Sequence, residues 1–240
     1  MSELDLVVED ADKEFDALRR LIIFADNAQH EGKALSPQAR LVSSNASILF
    51  IAAAFEESVR QLGLAYARRL VSKTSIPDNR LRDIKIGLWE RASFQLSSKA
   101  FGTKKFDEAK ARASLAVLQN FCLDLSEIQL MVDHAVYHTR NLRVDEVNAL
   151  FKRLGVSEVC TRIGRSIEYR TFFLSPTVAA AQGEFTRHLN KFYEDRNSAT
   201  HDLGAFRASG AVDVSRQVDF FELAVRRLAA VLDADLDTIT

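Results

Sequence analysis

The chain has 240 residues, 47% of them hydrophobic, which suits a globular protein with one good-sized core or two small ones. Charge nearly cancels, with 32 Lys and Arg against 33 Asp and Glu, so the global basic balance of many non-specific nucleic-acid binders is excluded. Any contact with nucleic acid must therefore be local.

The N-terminal stretch MSELDLVVEDADKEF is acidic and lacks the basic and apolar regions of a signal peptide. The longest apolar run, ASILFIAAAF, has ten residues, whereas a membrane-spanning helix needs about 20. Cys122 and Cys160 are isolated thiols without a C-x-x-C pair, so neither a disulfide framework nor a zinc site is indicated. We expect a cytoplasmic protein with no membrane span.

The first half of the chain has apolar residues at helical spacing, and only 3 Pro and 9 Gly interrupt the whole sequence. This pattern predicts an all-α protein. The predicted helices run from Asp10 or Asp12 to about His30, from Ser43 or Ser44 to about Lys73, from Asp78 to about Ser97, and from Phe106 to about Leu118. The segment NFCLDLSEIQLMVDHAVYH has no periodicity that assigns its structure.

The second half continues the helical pattern. One predicted helix lies in NLRVDEVNALFKRLG and ends at Gly155, which is typical of a helix C-terminus. Another is capped by Ser175 with Pro176 in its first turn, and the last runs from Ser215 to about Leu232. EYRTFFLSP is predicted to be extended chain or loop. Since neither a repeat nor a Gly/Ser linker divides the chain, we expect a single all-α domain of five to eight helices over residues 1–240.

The penultimate predicted helix carries an arginine on its apolar face. Its inward stripe consists of Val178, Ala181, Phe185, Leu189 and Phe192. Arg196 follows Phe192 by four residues and therefore lies on the same face. A guanidinium at a core-facing position is costly unless it is paired or faces water or a partner. Arg196 thus indicates a cleft, a subunit interface or a buried ion pair.

His201 follows Arg196 by five residues, which on an unbroken helix places it about 140° around the axis. The two side chains converge only if the helix loosens at the polar residues between them, or if a second copy of the chain supplies one of them. Arginine-to-histidine spacings of this kind are expected roughly once by chance in such a chain. The position at the end of an apolar stripe is the stronger indication.

The segment RNSATH, from Arg196 to His201, fits the R-x4-6-H signature of the HEPN superfamily, including the frequent polar residue after the arginine, here Asn197. It also lies near the end of a long helix with one helix to follow, as in that family. The stretches ILFIAAAFEESVRQL and NLRVDEVNALFKRLG are similar to segments of bacterial proteins of the RiboL-PSP-HEPN type. The resemblance covers most of the chain, although only the Arg/His motif is chemically specific.

This resemblance implies an all-α HEPN-like bundle, usually a homodimer, that cleaves RNA without metal or cofactor in toxin/antitoxin or antiviral defence systems. His201 would transfer a proton to or from the sugar oxygens, Arg196 would bind the phosphate oxygens, and Asn197 would orient the phosphate or the imidazole. The products would be a 2′,3′-cyclic phosphate and a 5′-hydroxyl, and an antitoxin or defence protein would be a partner. HEPN toxins silenced by nucleotide transfer have a tyrosine shortly after the histidine, but residues 202–204 here are Asp-Leu-Gly, so that control is not expected.

Three residues outside the motif are further candidates. Glu56 either orients the motif residues or forms an i, i+4 pair with Arg60, and the local pair is the favoured interpretation. Arg187 and Lys191, with His188 between them, either contact the RNA backbone or are solvated.

No metal site is expected, because the i, i+4 pair of His134 and His138 has no third ligand in view. A non-catalytic HEPN-like module that binds a partner protein or a nucleotide remains the alternative function. The two functions differ in whether Arg196 and His201 meet in a solvent-accessible, basic-walled cleft.

Overall fold

The structure, a computed structural model, describes residues 2–30, 36–73, 76–97, 108–119, 136, 138, 141–201 and 210–239. Nine helices lie in these ranges: α1 (Glu3–His30), α2 (Pro37–Val71), α3 (Asp78–Ser97), α4 (Glu108–Gln119), α5 (Val144–Lys152), α6 (Val159–Gly164), α7 (Ile167–Phe172), α8 (Val178–His201) and α9 (Ala211–Asp237). These ranges contain no strand, which confirms the all-α fold class. None of their helices is long and apolar enough to cross a membrane.

The helix count exceeds the predicted five to eight because two short helices, α6 and α7, precede α8. The prediction that EYRTFFLSP is extended or loop is therefore wrong for its first half. Ser166 begins α7 by accepting a hydrogen bond from the backbone N–H of Tyr169 at 3.3 Å. Tyr169 is fully buried, and its ring packs edge-on against Phe185 of α8 and Phe220 of α9. The burial of this ring against α8 and α9 stabilises α7. The helix has only six residues, which is too few for a periodic pattern in the sequence.

Several helices begin at other residues than predicted, and in two of them, α2 and α8, a side-chain cap sets the first turn. Helix α2 begins at Pro37, where the Ser36 hydroxyl accepts a hydrogen bond from the backbone N–H of Ala39 at 3.2 Å. Helix α8 begins at Val178, and its cap is Thr177 rather than Ser175. Helices α1 and α9 also begin earlier than predicted, at Glu3 and Ala211.

The predictions for α3 and α5 are confirmed. Helix α3 runs from Asp78 to Ser97 as expected. Gly155 follows α5 with φ of +80°, a left-handed backbone that glycine adopts without strain.

The core is built around α2, which packs against α1, α8 and α9. Two ring contacts join three of these helices, since Phe221 of α9 lies 4.8 Å from Phe55 of α2 and 4.4 Å from Phe192 of α8, between ring centroids. The predicted inward stripe of α8 is buried from Ala181 to Phe192, whereas Val178 at its start is exposed. The C-terminal end of α8, which carries the Arg/His motif, is thus held on the central helix.

The chain before α5 passes close to α2 and then reaches α8. A Cβ atom at Gly63 of α2 would come within 2.7 Å of the Val136 side chain, so the absence of a side chain there leaves room for this approach. Leu142 is fully buried, and the backbone N–H of Val144 donates to the Asn190 side chain of α8 at 3.2 Å. These contacts bring residue 141 to the end of α8.

Candidate active site at the end of helix α8

Helix α8 continues without a break through the whole motif and ends at His201. The hydroxyls of Ser198 and Thr200 bond back to the carbonyls of Glu194 and Arg196, at 3.1 and 2.7 Å, and so stay within the helix instead of interrupting it. The first way for Arg196 and His201 to converge, a loosened helix, is therefore contradicted. A contribution from a second copy remains, while the His201 side chain itself lies outside what the structure describes.

Arg196 is half-buried, and its guanidinium has few partners within the described ranges. Its Nε atom is buried there without a hydrogen-bond partner. Its one hydrogen bond to a described residue runs from Nη1 to Oδ1 of Asn197 and is long, at 3.4 Å. No ion pair to Arg196 occurs among the residues described. Of the three explanations for this arginine, the buried ion pair therefore finds no support, and a cleft or a subunit interface remains.

The amide of Asn197 is oriented by a residue from another part of the chain. Nδ2 of Asn141 donates to Oδ1 of Asn197 at 2.7 Å, and the same oxygen accepts the long bond from Arg196. With its oxygen engaged, Asn197 has Nδ2 as the donor for a ligand. Asn141 was missed by sequence reasoning, because its contact with Asn197 spans 56 positions and leaves no local pattern.

Glu56 directly precedes the residue that binds Arg60 on α2. Arg60 donates to both carboxylate oxygens of Glu57, at 2.6 and 2.8 Å, and the favoured pair of Glu56 with Arg60 stays a prediction. Oε1 of Glu56 is buried and has no hydrogen-bond partner within the described part of the chain. This buried oxygen points into the protein, which fits the other interpretation of Glu56, namely that it orients the motif residues.

Tyr193 connects Glu56 with the motif and was also missed, because a tyrosine on an apolar face is indistinguishable from core in the sequence. It is fully buried one turn before Arg196. Burial raises the pKa of its hydroxyl well above the usual range, the nearby Glu56 carboxylate raises it further, and the Arg196 guanidinium opposes this shift. The Tyr193 hydroxyl is therefore within electrostatic reach of both charged groups. The four side chains Glu56, Tyr193, Arg196 and Asn197 form one polar cluster, called the α8 cluster below.

The basic residues that precede the motif divide into two kinds. Arg187 and Lys191 are exposed and pair with Glu184 and Asp195 on their own helix, at 2.6 and 2.8 Å. Exposed pairs of this kind stabilise by at most about 1 kcal/mol, so they do not prevent either side chain from binding RNA. Their role remains a prediction.

His188 is half-buried and packs against α9. Its ring centroid lies 4.3 Å from that of Phe220, and its Nε2 hydrogen-bonds the Gln217 side chain at 2.8 Å. Burial lowers the pKa of His188, and the Gln217 hydrogen bond only partly opposes this. His188 is part of the packing between α8 and α9.

The described residues contain no group of three or more His, Cys, Asp or Glu side chains that could hold a metal ion. His134 and Cys122 lie outside them. Cys160 is a free, buried thiol whose pKa is raised by burial, which makes it a packing residue rather than a nucleophile.

The described part of the chain is helical, as a HEPN domain is. The model of the RiboL-PSP-HEPN family matches residues 13–234, and the chain belongs to this family. The wider HEPN family includes ribonucleases. No curated protein and no solved structure matches the chain.

Proposed function

We propose that this protein is a metal-independent endoribonuclease of the cytoplasm that acts in toxin or antiphage defence. The observation that carries this proposal is Arg196, a half-buried guanidinium at the end of an apolar stripe with no ion pair among the described residues. A phosphate is the ligand that fits such a group, because the planar guanidinium donates two parallel hydrogen bonds to phosphate oxygens. Membership of a family that includes ribonucleases supports RNA as the source of that phosphate.

The proposed reaction is attack of the ribose 2′-hydroxyl on the adjacent phosphorus. His201 takes the hydroxyl proton or gives a proton to the departing 5′-oxygen, since an imidazole titrates near neutral pH. Arg196 stabilises the negative charge that builds on the phosphate, and Nδ2 of Asn197 orients it. The phosphorus ends in a 2′,3′-cyclic phosphate, and the leaving strand carries a 5′-hydroxyl. Glu56 supports Arg196 from α2, while Arg187 and Lys191 bind the neighbouring backbone.

We further propose a homodimer with a composite site. Because α8 is unbroken, Arg196 and His201 of one chain lie on different sides of the helix. A two-fold axis that brings the ends of two α8 helices together lets one chain supply the arginine and the other the histidine. A mixture of Arg196→Ala and His201→Ala subunits should then recover part of the activity, whereas an active, strictly monomeric enzyme in light scattering contradicts the composite site.

Incubation of the purified protein with total RNA and tRNA tests the activity. The wild type should cut RNA equally well in EDTA and should spare RNA with a 2′-deoxy sugar at the cleavage position. The matched control for Arg196→Ala is Arg165→Ala, since Arg165 is exposed and donates a hydrogen bond to the Gln182 side chain at 2.8 Å. Gln182 lies about 21 Å along α8 from Arg196. A wild type that leaves all RNA intact contradicts the proposal, and dependence on added magnesium contradicts the mechanism.

The unbroken helix also favours a second candidate, a non-catalytic HEPN module that binds a partner protein or nucleotide. Such a module needs no convergence of Arg196 and His201. Growth arrest on induced expression, abolished by His201→Ala, favours the ribonuclease, whereas a harmless wild type favours the binding module.

A further inference from the structure

A second histidine, His138, is held close to the α8 cluster by residues on both sides of it. Two residues before it, Val136 packs against Gly63 of α2. Three residues after it, Asn141 hydrogen-bonds Asn197 at 2.7 Å. Because a chain extends at most about 3.5 Å per residue, the Cα atom of His138 lies within about 11 Å of that of Asn141. His138 therefore remains near the end of α8.

The His138 side chain is only partly exposed, and one of its nitrogens has no hydrogen-bond partner within the described ranges. Nδ1 is buried and unsatisfied there. The segment is also near α2 because Val136 packs against Gly63, which agrees with the small contribution of His138 to the lowered pKa of Glu57, whose main cause is the Arg60 hydrogen bond. A buried polar atom without a partner costs free energy, and such atoms concentrate where a ligand or a catalytic function accounts for them.

His138 and Arg196 lie on different elements that flank the same turn of α2. Glu57, which His138 approaches, directly follows Glu56, and Glu56 acts together with Arg196 on the Tyr193 hydroxyl. Nδ1 of His138, Oε1 of Glu56 and Nε of Arg196 are all buried atoms without a hydrogen-bond partner in the described part of the chain. The Asn141–Asn197 hydrogen bond joins the segment of His138 to the helix of Arg196, and a polar ligand between these two elements would satisfy both buried nitrogens.

Cleavage by the proposed route needs two proton transfers, one from the 2′-hydroxyl and one to the 5′-oxygen. On the unbroken helix α8, positions 196 and 201 are about 140° apart around the axis, which favours a further proton-transfer group on another element. An imidazole on another element, near the same arginine, supplies a proton-transfer group within that chain.

We infer that His138 is a second acid–base residue of this site and faces, from the segment before α5, the phosphate that Arg196 binds. This inference rests on the proposed ribonuclease activity. One of the two histidines takes the 2′-hydroxyl proton as the oxygen–phosphorus bond forms. The other gives a proton to the 5′-oxygen as its bond to phosphorus breaks. After cleavage the first histidine is protonated and the second is neutral. Proton exchange with water returns both to their starting states.

Three substitutions at His138 separate an acid–base role from a structural one. Asparagine places a polar group near the position of Nδ1, glutamine places one near Nε2, and alanine removes both. If the imidazole transfers a proton, all three should lower kcat by about 10²- to 10⁴-fold with KM little changed, because no amide titrates near neutral pH. If the wild type cuts RNA and His138→Asn is equally active, Nδ1 serves only packing. This result overturns the role of His138 and leaves the proposed ribonuclease activity standing.

Titration with inorganic phosphate, followed by NMR of the imidazole C–H groups, gives a readout that does not depend on cleavage. The His138 signals are assigned by their loss in His138→Gln. They should shift with phosphate in the wild type and remain still in Arg196→Ala. Signals that do not respond in the wild type overturn the placement of His138. A wild type that cuts no RNA overturns both the ribonuclease and the acid–base role, and the titration then shows whether His138 still lies beside a bound phosphate.

Discussion

Two clusters in this fold combine an arginine, a tyrosine and a carboxylate, and they differ in how far these groups bind one another. In the first, Arg80 at the start of α3 pairs with Asp235 of α9 and with the hydroxyl of Tyr66 on α2. The Tyr66 hydroxyl also donates to Asp235 at 2.8 Å. Both charged side chains are largely enclosed, at 13% and 14% exposed. Nε of Arg80 has no hydrogen-bond partner among the described residues, but the arginine, the tyrosine and the carboxylate bind one another and so join three helices.

The α8 cluster has the same residue types without the mutual bonds. Arg196 has no ion pair among the residues described, and one oxygen of Glu56 and the Tyr193 hydroxyl are buried without hydrogen-bond partners there. A buried ion pair that is complete serves the fold, whereas unsatisfied groups reduce stability. The Arg80 cluster therefore acts in folding, whereas the proposed ligand of the α8 cluster would account for its unpaired groups.

The largest difference should appear in catalysis. Arg196→Ala and His201→Ala should each lower kcat/KM for RNA by about 10²- to 10⁴-fold, because each removes a group that acts in the transition state. Their helical content and melting temperature should stay close to those of the wild type. An unfolded Arg196 variant in circular dichroism means that the residue is structural and that the comparison fails.

Loss of the other arginine should act on stability instead. Arg80→Ala leaves Asp235 enclosed with Arg162 as its remaining cation, at 3.7 Å. We expect the free energy of unfolding to fall by about 3 kcal/mol, the lower end for breaking a buried pair, because Arg162 compensates in part. Urea unfolding measures this change, and cleavage at a temperature where the variant is folded should be that of the wild type.

Removal of one hydroxyl from each cluster sharpens the contrast. Tyr66→Phe removes a hydrogen bond to a carboxylate and should cost about 1.5–3 kcal/mol of unfolding free energy. Tyr193→Phe removes a buried hydroxyl that has no close hydrogen-bond partner among the described residues and interacts more weakly with Glu56 and the backbone of Leu142, so the loss should be smaller, below about 1 kcal/mol. A clear loss of stability in the Tyr193 variant, by the same urea titration, shows that the α8 cluster is satisfied after all.

The smallest effect concerns His188, the packed histidine of α8. Its pKa is lowered in the folded state, mainly by burial, so the unfolded state binds protons more readily. Its contribution to stability is present above the unfolded pKa of about 6.5 and is lost as the pH falls toward the folded pKa. His188→Gln should therefore lose less stability than the wild type between pH 7 and pH 5.5 in urea unfolding. Equal losses indicate that His188 accepts its proton without strain.

The helices themselves could be predicted, because apolar spacing reflects which face is buried. Ile48, Phe55, Val59 and Leu62 of α2 are all buried as their spacing predicts. The first residues of the helices were harder to predict, since they depend on capping residues such as Ser36 and Thr177. Serine and threonine are common in loops as well. A short helix such as α7 has too few residues for a periodic signal.

The candidate site was predictable only where a residue breaks a pattern. Arg196 is conspicuous because it interrupts an apolar stripe, and Asn197 follows from the motif. Tyr193 fits that stripe, and Asn141 acts through a contact distant in sequence, so neither leaves a signal. Glu56 and Glu57 are both within helical reach of Arg60, so the sequence alone does not reveal that Glu57 binds it.

Gly63 limits how this protein can be stabilised by engineering. A glycine in the middle of a helix costs about 0.5–1 kcal/mol relative to alanine, so a survey of propensities would select this position for replacement. A methyl group there would collide with Val136 and displace the chain that carries His138 and Asn141. The collision would offset the gain in helix propensity and would loosen the amide that orients Asn197, so replacement of Gly63 should weaken the site without a more stable fold.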